Sequence, residues 1–171
     1  MRKLIFILSL IFCTAAFAIQ QSISIRQYIQ TINHVCIIVP NMDRTLHFYR
    51  DILGFKLIKD NTESNAIISK ELGLSNVKLR NVFLQAPGGF ELQVIQFYHP
   101  KENLKKITMT SIGYNHIGIG VTDLQKVYQL LKAQHVKIIA SPIIKKSSAY
   151  AIFFAQDPDG NRIEFFQKLA S

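Results

Sequence analysis

NHVCIIV, Asn33 to Val39, returns as NHIGIGV, Asn115 to Val121. The shared N-H-x-x-I-x-V pattern marks one structural unit written twice, and it decides the fold before any single residue does. Each copy is a short apolar run of the kind that fits a strand, and each is followed by turn residues and an amphipathic helix. In the first copy the helix runs from about Met42 to Leu53, with Asn41 as N-cap and Gly54 as the stop. In the second, Thr122-Asp123-Leu124-Gln125 has the form of a capping box. Leu124, Val127, Leu130 and Leu131 then give the apolar stripe of a helix ending near His135. Each copy runs on to a late strand that holds a glutamate, GGFELQVIQF at 88–97 and GNRIEFFQ at 160–167.

Between helix and late strand the first copy predicts strands near Phe55 to Lys59 and Val77 to Gln85, with an inserted helix from Ser64 to Leu72 closed by Gly73. The second predicts strands near Val136 to Ala140 and Tyr150 to Ala155, then a turn over Gln156 to Asn161. The reading is an α+β chain of two tandem βαβββ modules, residues 31–98 and 114–171. An N-terminal tail, residues 19–30, precedes them, and a polar, Lys-rich linker, residues 99–113, joins them. Either sheet alone would leave one face exposed, so the halves are expected to share a core.

The first eighteen residues differ from the rest. Arg2 and Lys3 precede an apolar run from Leu4 to Cys13, and small residues follow, ending in Ala16-Phe17-Ala18. This is the layout of a secretory signal peptide cleaved after Ala18, and it predicts export, to the periplasm. The run is far shorter than the roughly 20 residues a spanning helix needs, so no membrane association is expected after cleavage. Phe12 stands where a lipidation signal before Cys13 wants a small side chain. Cleavage removes Arg2 and Lys3 from the 20 Lys and Arg and none of the 11 Asp and Glu, taking the net charge from +9 to +7. Lys101, Lys105, Lys106, Lys145 and Lys146 supply much of the excess, and no nucleic-acid motif accompanies them, so they read as a solvated face. Cys36 is the one cysteine of the mature chain, which excludes an intramolecular disulfide, and it reads as a buried structural residue.

Side chains alternate across a strand. His34 therefore shares a face with Cys36 and Ile38, His116 with Gly118 and Gly120, Glu91 with Gln93 and Ile95, and Glu164 with Arg162 and Phe166. If the two sheets face each other across a pseudo-twofold axis, His34, Glu91, His116 and Glu164 meet. Two imidazoles and two carboxylates suit one divalent metal, and a cation between the carboxylates removes their repulsion. A lone His or Glu on a strand is more often a structural or solvated residue; the repetition of both in an internal duplication is what singles these out. His47, His99 and His135 have no repeat partner and read as surface or helix-end residues.

INHVCIIV, TLHFYRDILGFKL, GYNHIGIGV and DPDGNRIEF resemble the vicinal oxygen chelate superfamily. It includes glyoxalase I, methylmalonyl-CoA epimerase, extradiol dioxygenases, fosfomycin-resistance enzymes and bleomycin-binding proteins. The resemblance spans about Thr31 to Gln167 and implies paired βαβββ modules forming a cupped mixed sheet around one metal, which could be Zn, Ni, Co, Mn or Fe. It carries the ligand role to His34, Glu91, His116 and Glu164, the His-Glu-His-Glu set that most resembles glyoxalase I, whereas epimerases often have Gln at the second station. It further implies a metal-dependent isomerase or lyase that abstracts a proton next to a carbonyl of a small oxygenated substrate, the metal stabilising the enediolate charge. Glu91 and Glu164 are the candidate bases, Glu164 preferred.

Glutathione-dependent members typically carry Arg four residues past the first ligand and Asn four past the second. Those stations here are Ile38 and Ile95, which speaks against glutathione dependence. Ile38, Ile95, Phe97 and Phe166 are candidates for a less polar pocket or for plain sheet core. Two other functions remain as alternatives: a metal-independent binding protein like the bleomycin-binding members, and an extradiol-type dioxygenase. Some relatives build the site within one chain and others across a homodimer, and the linker permits either.

Overall fold

The computed structural model describes residues 25–101, 108, 110–145 and 149–169. The signal peptide, residues 1–18, lies outside the described residues, as do 19–24 of the tail and 102–107 and 109 of the linker. Two units separate at Asn33. In the first, Ile25–Tyr28 form a single 3-10 turn. Among the described residues no helix is long and apolar enough to cross a membrane.

The second unit, His34–Ser171, carries both modules. The first contains β1 (His34–Ile38), α1 (Met42–Leu46), β2 (Lys56–Glu63), α2 (Ala66–Leu72), β3 (Lys78–Gln85) and β4 (Glu91–His99). The second contains β5 (His116–Gly120), α3 (Leu124–Ala133), β6 (Lys137–Ile138), β7 (Ile143–Lys145), β8 (Tyr150–Gln156) and β9 (Arg162–Lys168). They form two mixed sheets, ordered β1-β4-β3-β2 and β5-β9-β8-β6, with β1 parallel to β4, β5 parallel to β9 and the remaining pairs antiparallel. The α+β class and the duplicated layout thus stand, with β1 and β5 as sheet edges.

Local chemistry explains most boundaries. The Asn41 side chain caps α1 by accepting the Arg44 N–H, and α1 then widens into a π-helical turn, His47–Ile52, closed by an N–H of Leu53 bonded to the Phe48 carbonyl at 3.0 Å. α3 starts one residue later than the capping-box reading implies, because Asp123 rather than Thr122 supplies the cap, its Oδ1 accepting the Lys126 N–H at 2.8 Å. The single strand expected over Val136 to Ala140 is shorter and is followed by a second piece. β6 and β7 both pair with β8, and the break between them contains Pro142, which has no N–H to give a ladder.

One core serves both modules. Met42, Leu46, Tyr49, Leu92 and Val94 of the first cluster with Leu124, Leu131, Phe153, Ile163 and Phe165 of the second. The alternate residues of the late strands therefore point the other way. On the opposite face of the first sheet, Ile95 and Phe97 pack with Ile68, Val77 and Leu79 in a smaller cluster beneath the inserted helix. That placement makes Ile95 and Phe97 covering for α2 rather than pocket wall.

Candidate metal centre

Each sheet brings an imidazole to an open face. His34 stands edge-on to Phe83 with ring centroids 5.4 Å apart, and His116 stands edge-on to Phe154 at the same 5.4 Å. Phe83 lies opposite Gln93 and Phe154 lies opposite Glu164 in the strand registers. The parallel pairs agree: Cys36 is level with Gln93, and Gly118 with Glu164. Helix capping agrees again, because the N–H of Met42 donates to Gln96 Oε1 at 2.8 Å and that of Leu124 donates to Gln167 Oε1 at 2.8 Å. Three independent alignments thus make Gln93, not Glu91, the counterpart of Glu164.

Glu91 is level with His34, and its counterpart beside His116 is Arg162. The sequence expectation that both glutamates occupy one station of the repeat is corrected by two residues. The signal was present: both late strands contain two apolar residues followed by a glutamine, QVIQ at 93–96 and EFFQ at 164–167, and aligning those glutamines gives the observed register.

In the second sheet His116 Nε2 lies 3.6 Å from Glu164 Oε2. That is too long for a hydrogen bond, yet it is the spread of two donors that each reach a cation at about 2 Å. His116 Nδ1 lies 3.1 Å from Asn115 Oδ1, an acceptor, and a proton on Nδ1 shared with that oxygen would leave the Nε2 lone pair for a cation. Glu164 is half-buried, which favours neutralisation by a cation. His34 and Gln93 offer the matching nitrogen and amide oxygen on the first sheet, so the donor chemistry of this chain fits a divalent ion.

His34, His116 and Glu164 are not gathered into one cluster within the chain. Among the described residues no three His, Cys, Asp or Glu side chains form a cation-sized cluster. A cavity of about 420 Å³ opens between β1 and β5, lined by Cys36, Ile37, Phe90, His116 and Gly118 among others, and it takes in neither His34, Gln93 nor Glu164. Cys36 is exposed rather than buried, on the edge strand β1; desolvation around its sulfur still pushes the thiol above its ordinary pKa, so it is not an activated nucleophile. His47, His99 and His135 are exposed, His47 within 3.2 Å of Asp51 and His135 just past the end of α3.

Gly118 and Gly120 make room for Phe166, for which the sequence alone allows core or pocket wall. A Cβ at Gly120 would meet the Phe166 ring at 3.3 Å, and one at Gly118 would lie 3.5 Å from that ring and 3.8 Å from Glu164 Oε2. Gly120→Val is expected to displace Phe166 and to destabilise the fold by about 1–3 kcal/mol, read by urea denaturation.

Residues 31–165 match the family model described as Glyoxalase/Bleomycin resistance protein/Dioxygenase superfamily. A Haemophilus influenzae protein named lactoylglutathione lyase is 28% identical over 136 residues, 78% of this chain and 90% of its own length. An Arabidopsis thaliana chloroplastic protein named probable lactoylglutathione lyase is 28% identical over 145 residues, and this chain spans only 35% of it. Among solved structures, a glyoxalase family protein from Bacillus cereus superposes with a TM-score of 0.75 at 15% identity, covering 83% of this chain and 96% of that one. Glyoxalase I from Zea mays superposes at 0.58 with 25% identity, covering 81% and 44%. A duplicated βαβββ unit with twin imidazole faces, matched over most of its length by one family model, makes this chain a member of the Glyoxalase/Bleomycin resistance protein/Dioxygenase superfamily.

Proposed function

We propose that the protein is a metal-dependent isomerase or lyase of the glyoxalase-like group, moving a proton next to a carbonyl of a small oxygenated substrate. The observation that carries this is the pairing of His116 with Glu164 at 3.6 Å, whose matching strand stations on the twin face are held by His34 and Gln93. One divalent ion held by His34, Gln93, His116 and Glu164 would stabilise negative charge developing on a substrate oxygen. Glu164 is the preferred base. Glu91, on the same face as Gln93 and outside the ligand station, is free to serve as a second acid or base from the other sheet.

Gln93 favours one variant of this reading. Glutamine at the second station is the epimerase pattern rather than the His-Glu-His-Glu set of glyoxalase I, and two separate carboxylates suit removal of a proton from one side of a carbon and its return from the other. Glutathione is not part of the proposal, although relatives bear the name lactoylglutathione lyase. Ile38 is 67% exposed, and Phe97, four residues past Gln93, packs beneath α2, so neither station offers a polar grip. Because the donors stay apart within one chain, the proposed site is completed by two copies, His34 and Gln93 of one facing His116 and Glu164 of the other. The N-terminal layout supports export, which would place the enzyme in the periplasm.

Metal analysis of the purified protein, joined to a screen for solvent deuterium entering α-keto and α-hydroxy compounds, tests the reading. The expected result is one divalent ion per chain and incorporation next to the carbonyl, slowed about a thousandfold by Glu164→Ala. A protein that takes up no stoichiometric divalent ion after reconstitution would sink it.

A further inference from the structure

Gln93 poses a problem that Glu164 does not. A carboxylate offers an oxygen whichever way it turns, but an amide offers an oxygen on one side and an NH2 on the other. A ligand or substrate that needs the oxygen would be repelled by the wrong face. The open face of the first sheet contains a device that fixes the choice.

Gln93 Nε2 donates to Asn81 Oδ1 at 2.9 Å, and Asn81 Nδ2 donates in turn to Glu63 Oε1 at 3.2 Å. Asn81 stands on β3 and Glu63 closes β2, so the relay crosses three adjacent strands on one face. Glu63 at its far end, when ionised, accepts and cannot donate. It therefore draws the Asn81 NH2 towards itself, which turns the Asn81 carbonyl to Gln93 and holds the Gln93 NH2 there. The Gln93 carbonyl oxygen is left as the end the relay does not use.

Asn81 is only 9% exposed and sits beside the apolar cluster of Ile68, Leu79 and Ile95, a place where an aliphatic side chain would pack without desolvating an amide. The duplication supplies the control. Asn81 lies opposite Ile95, and the residue opposite Phe166, the counterpart of Ile95, is Ile152. The polar relay is present in the module whose donor is an amide. At the matching position in the module whose donor is a carboxylate stands a buried isoleucine, 8% exposed.

We propose that Glu63 and Asn81 are positioning residues that set the polarity of the Gln93 amide and so present its carbonyl oxygen to the site. The proposal rests on the reading of Gln93 as a donor station. It assigns a role to a glutamate and an asparagine that touch neither substrate nor metal.

Two measurements on the full chain separate this proposal from that reading. The first needs no metal: Gln93 side-chain amide protons, followed by nuclear magnetic resonance, should exchange with solvent on the order of tenfold more slowly than free amides; Asn81→Ile should abolish the protection, and Glu63→Gln, which can donate as well as accept, should lower it. Unprotected Gln93 protons in the wild type would overturn the relay. The second is titration of the metal-free protein with Co(II). Glu63→Gln should weaken Co(II) binding about tenfold, whereas in a Gln93→Glu background, where the donor has no polarity to set, the same replacement should cost nothing. Equal weakening in both backgrounds would reduce Glu63 to a structural residue and refute the proposal, as would no weakening in either. A wild type that binds no Co(II) would sink the metal reading instead, leaving the amide protection to decide the relay.

Discussion

Chains carrying His34→Ala and chains carrying His116→Ala should each lose proton exchange, and co-expressing the two should restore about a quarter of the wild-type rate. In a pair whose sites join the first module of one copy to the second module of the other, a mixed pair places both lesions in one site and leaves the other intact. Half of all pairs are mixed under random assembly, and each mixed pair has one good site of two. A site built within one chain would give no restoration at all, since every chain carries a lesion. The expectation comes from the observed geometry: the imidazole faces of the two sheets are exposed, and among the described residues no cation-sized cluster of His, Cys, Asp and Glu forms. Rates measured by deuterium incorporation, with each variant's folding checked by circular dichroism, distinguish the two arrangements.

Asp157→Ala should destabilise the fold by about 3–5 kcal/mol, among the largest losses available from one polar side chain. Asp157 is 4% exposed and its carboxylate accepts four hydrogen bonds: from the Tyr49 hydroxyl at 3.1 Å, the Asp159 N–H at 2.9 Å, the Asn161 N–H at 2.8 Å and Asn161 Nδ2 at 2.8 Å. It thereby shapes the turn before β9 and ties it to the helical segment of the other module. Its neighbour Asp159 adds bonds from Arg44 and from Thr45 Oγ1, the latter at 2.8 Å. Removing Asp157 strands a buried phenol and frees the turn. Burial pushes the Asp157 carboxyl above its ordinary pKa despite those donors, so the folded state holds the proton more tightly than the unfolded chain. Its stabilising contribution is then greatest in acid and shrinks as pH rises from the ordinary carboxylate value through the raised one. The stability gap between wild type and Asp157→Asn, measured in urea across that range, should narrow in the same direction.

The duplication made the architecture readable. N-H-x-x-I-x-V repeats at equal stations, and the caps and breakers around it are local, so α1 taken with its π-helical turn, α2, β3, β4, β8 and β9 fall within a few residues of expectation. Errors arose where tertiary pairing decides. The register of β4 against β1 depends on long-range partners, and matching glutamate to glutamate along the sequence gives Glu91 the station that the pairing gives Gln93. The strand stations of His34, His116 and Glu164 were legible because each repeats or sits in a distinctive motif. Asn81 and Glu63 were not, since their connection to Gln93 runs across three strands and leaves no mark along the chain. The exposure of Cys36 follows from β1 being a sheet edge, which composition cannot reveal.

The outer margins of the two sheets differ from β1 and β5 in one respect that bears on solubility. β2 carries Lys56, Lys59, Asp60 and Glu63 and a register irregularity between Leu57 and Lys59, and the opposite margin is interrupted between β6 and β7 at Pro142. Charge, irregular pairing and a missing donor all discourage addition of a foreign strand. Polymerisation into fibres through those margins is therefore disfavoured, which leaves the uninterrupted five-residue strands β1 and β5, at the other side of each sheet, as the edges where the two-copy site proposed above would have to form.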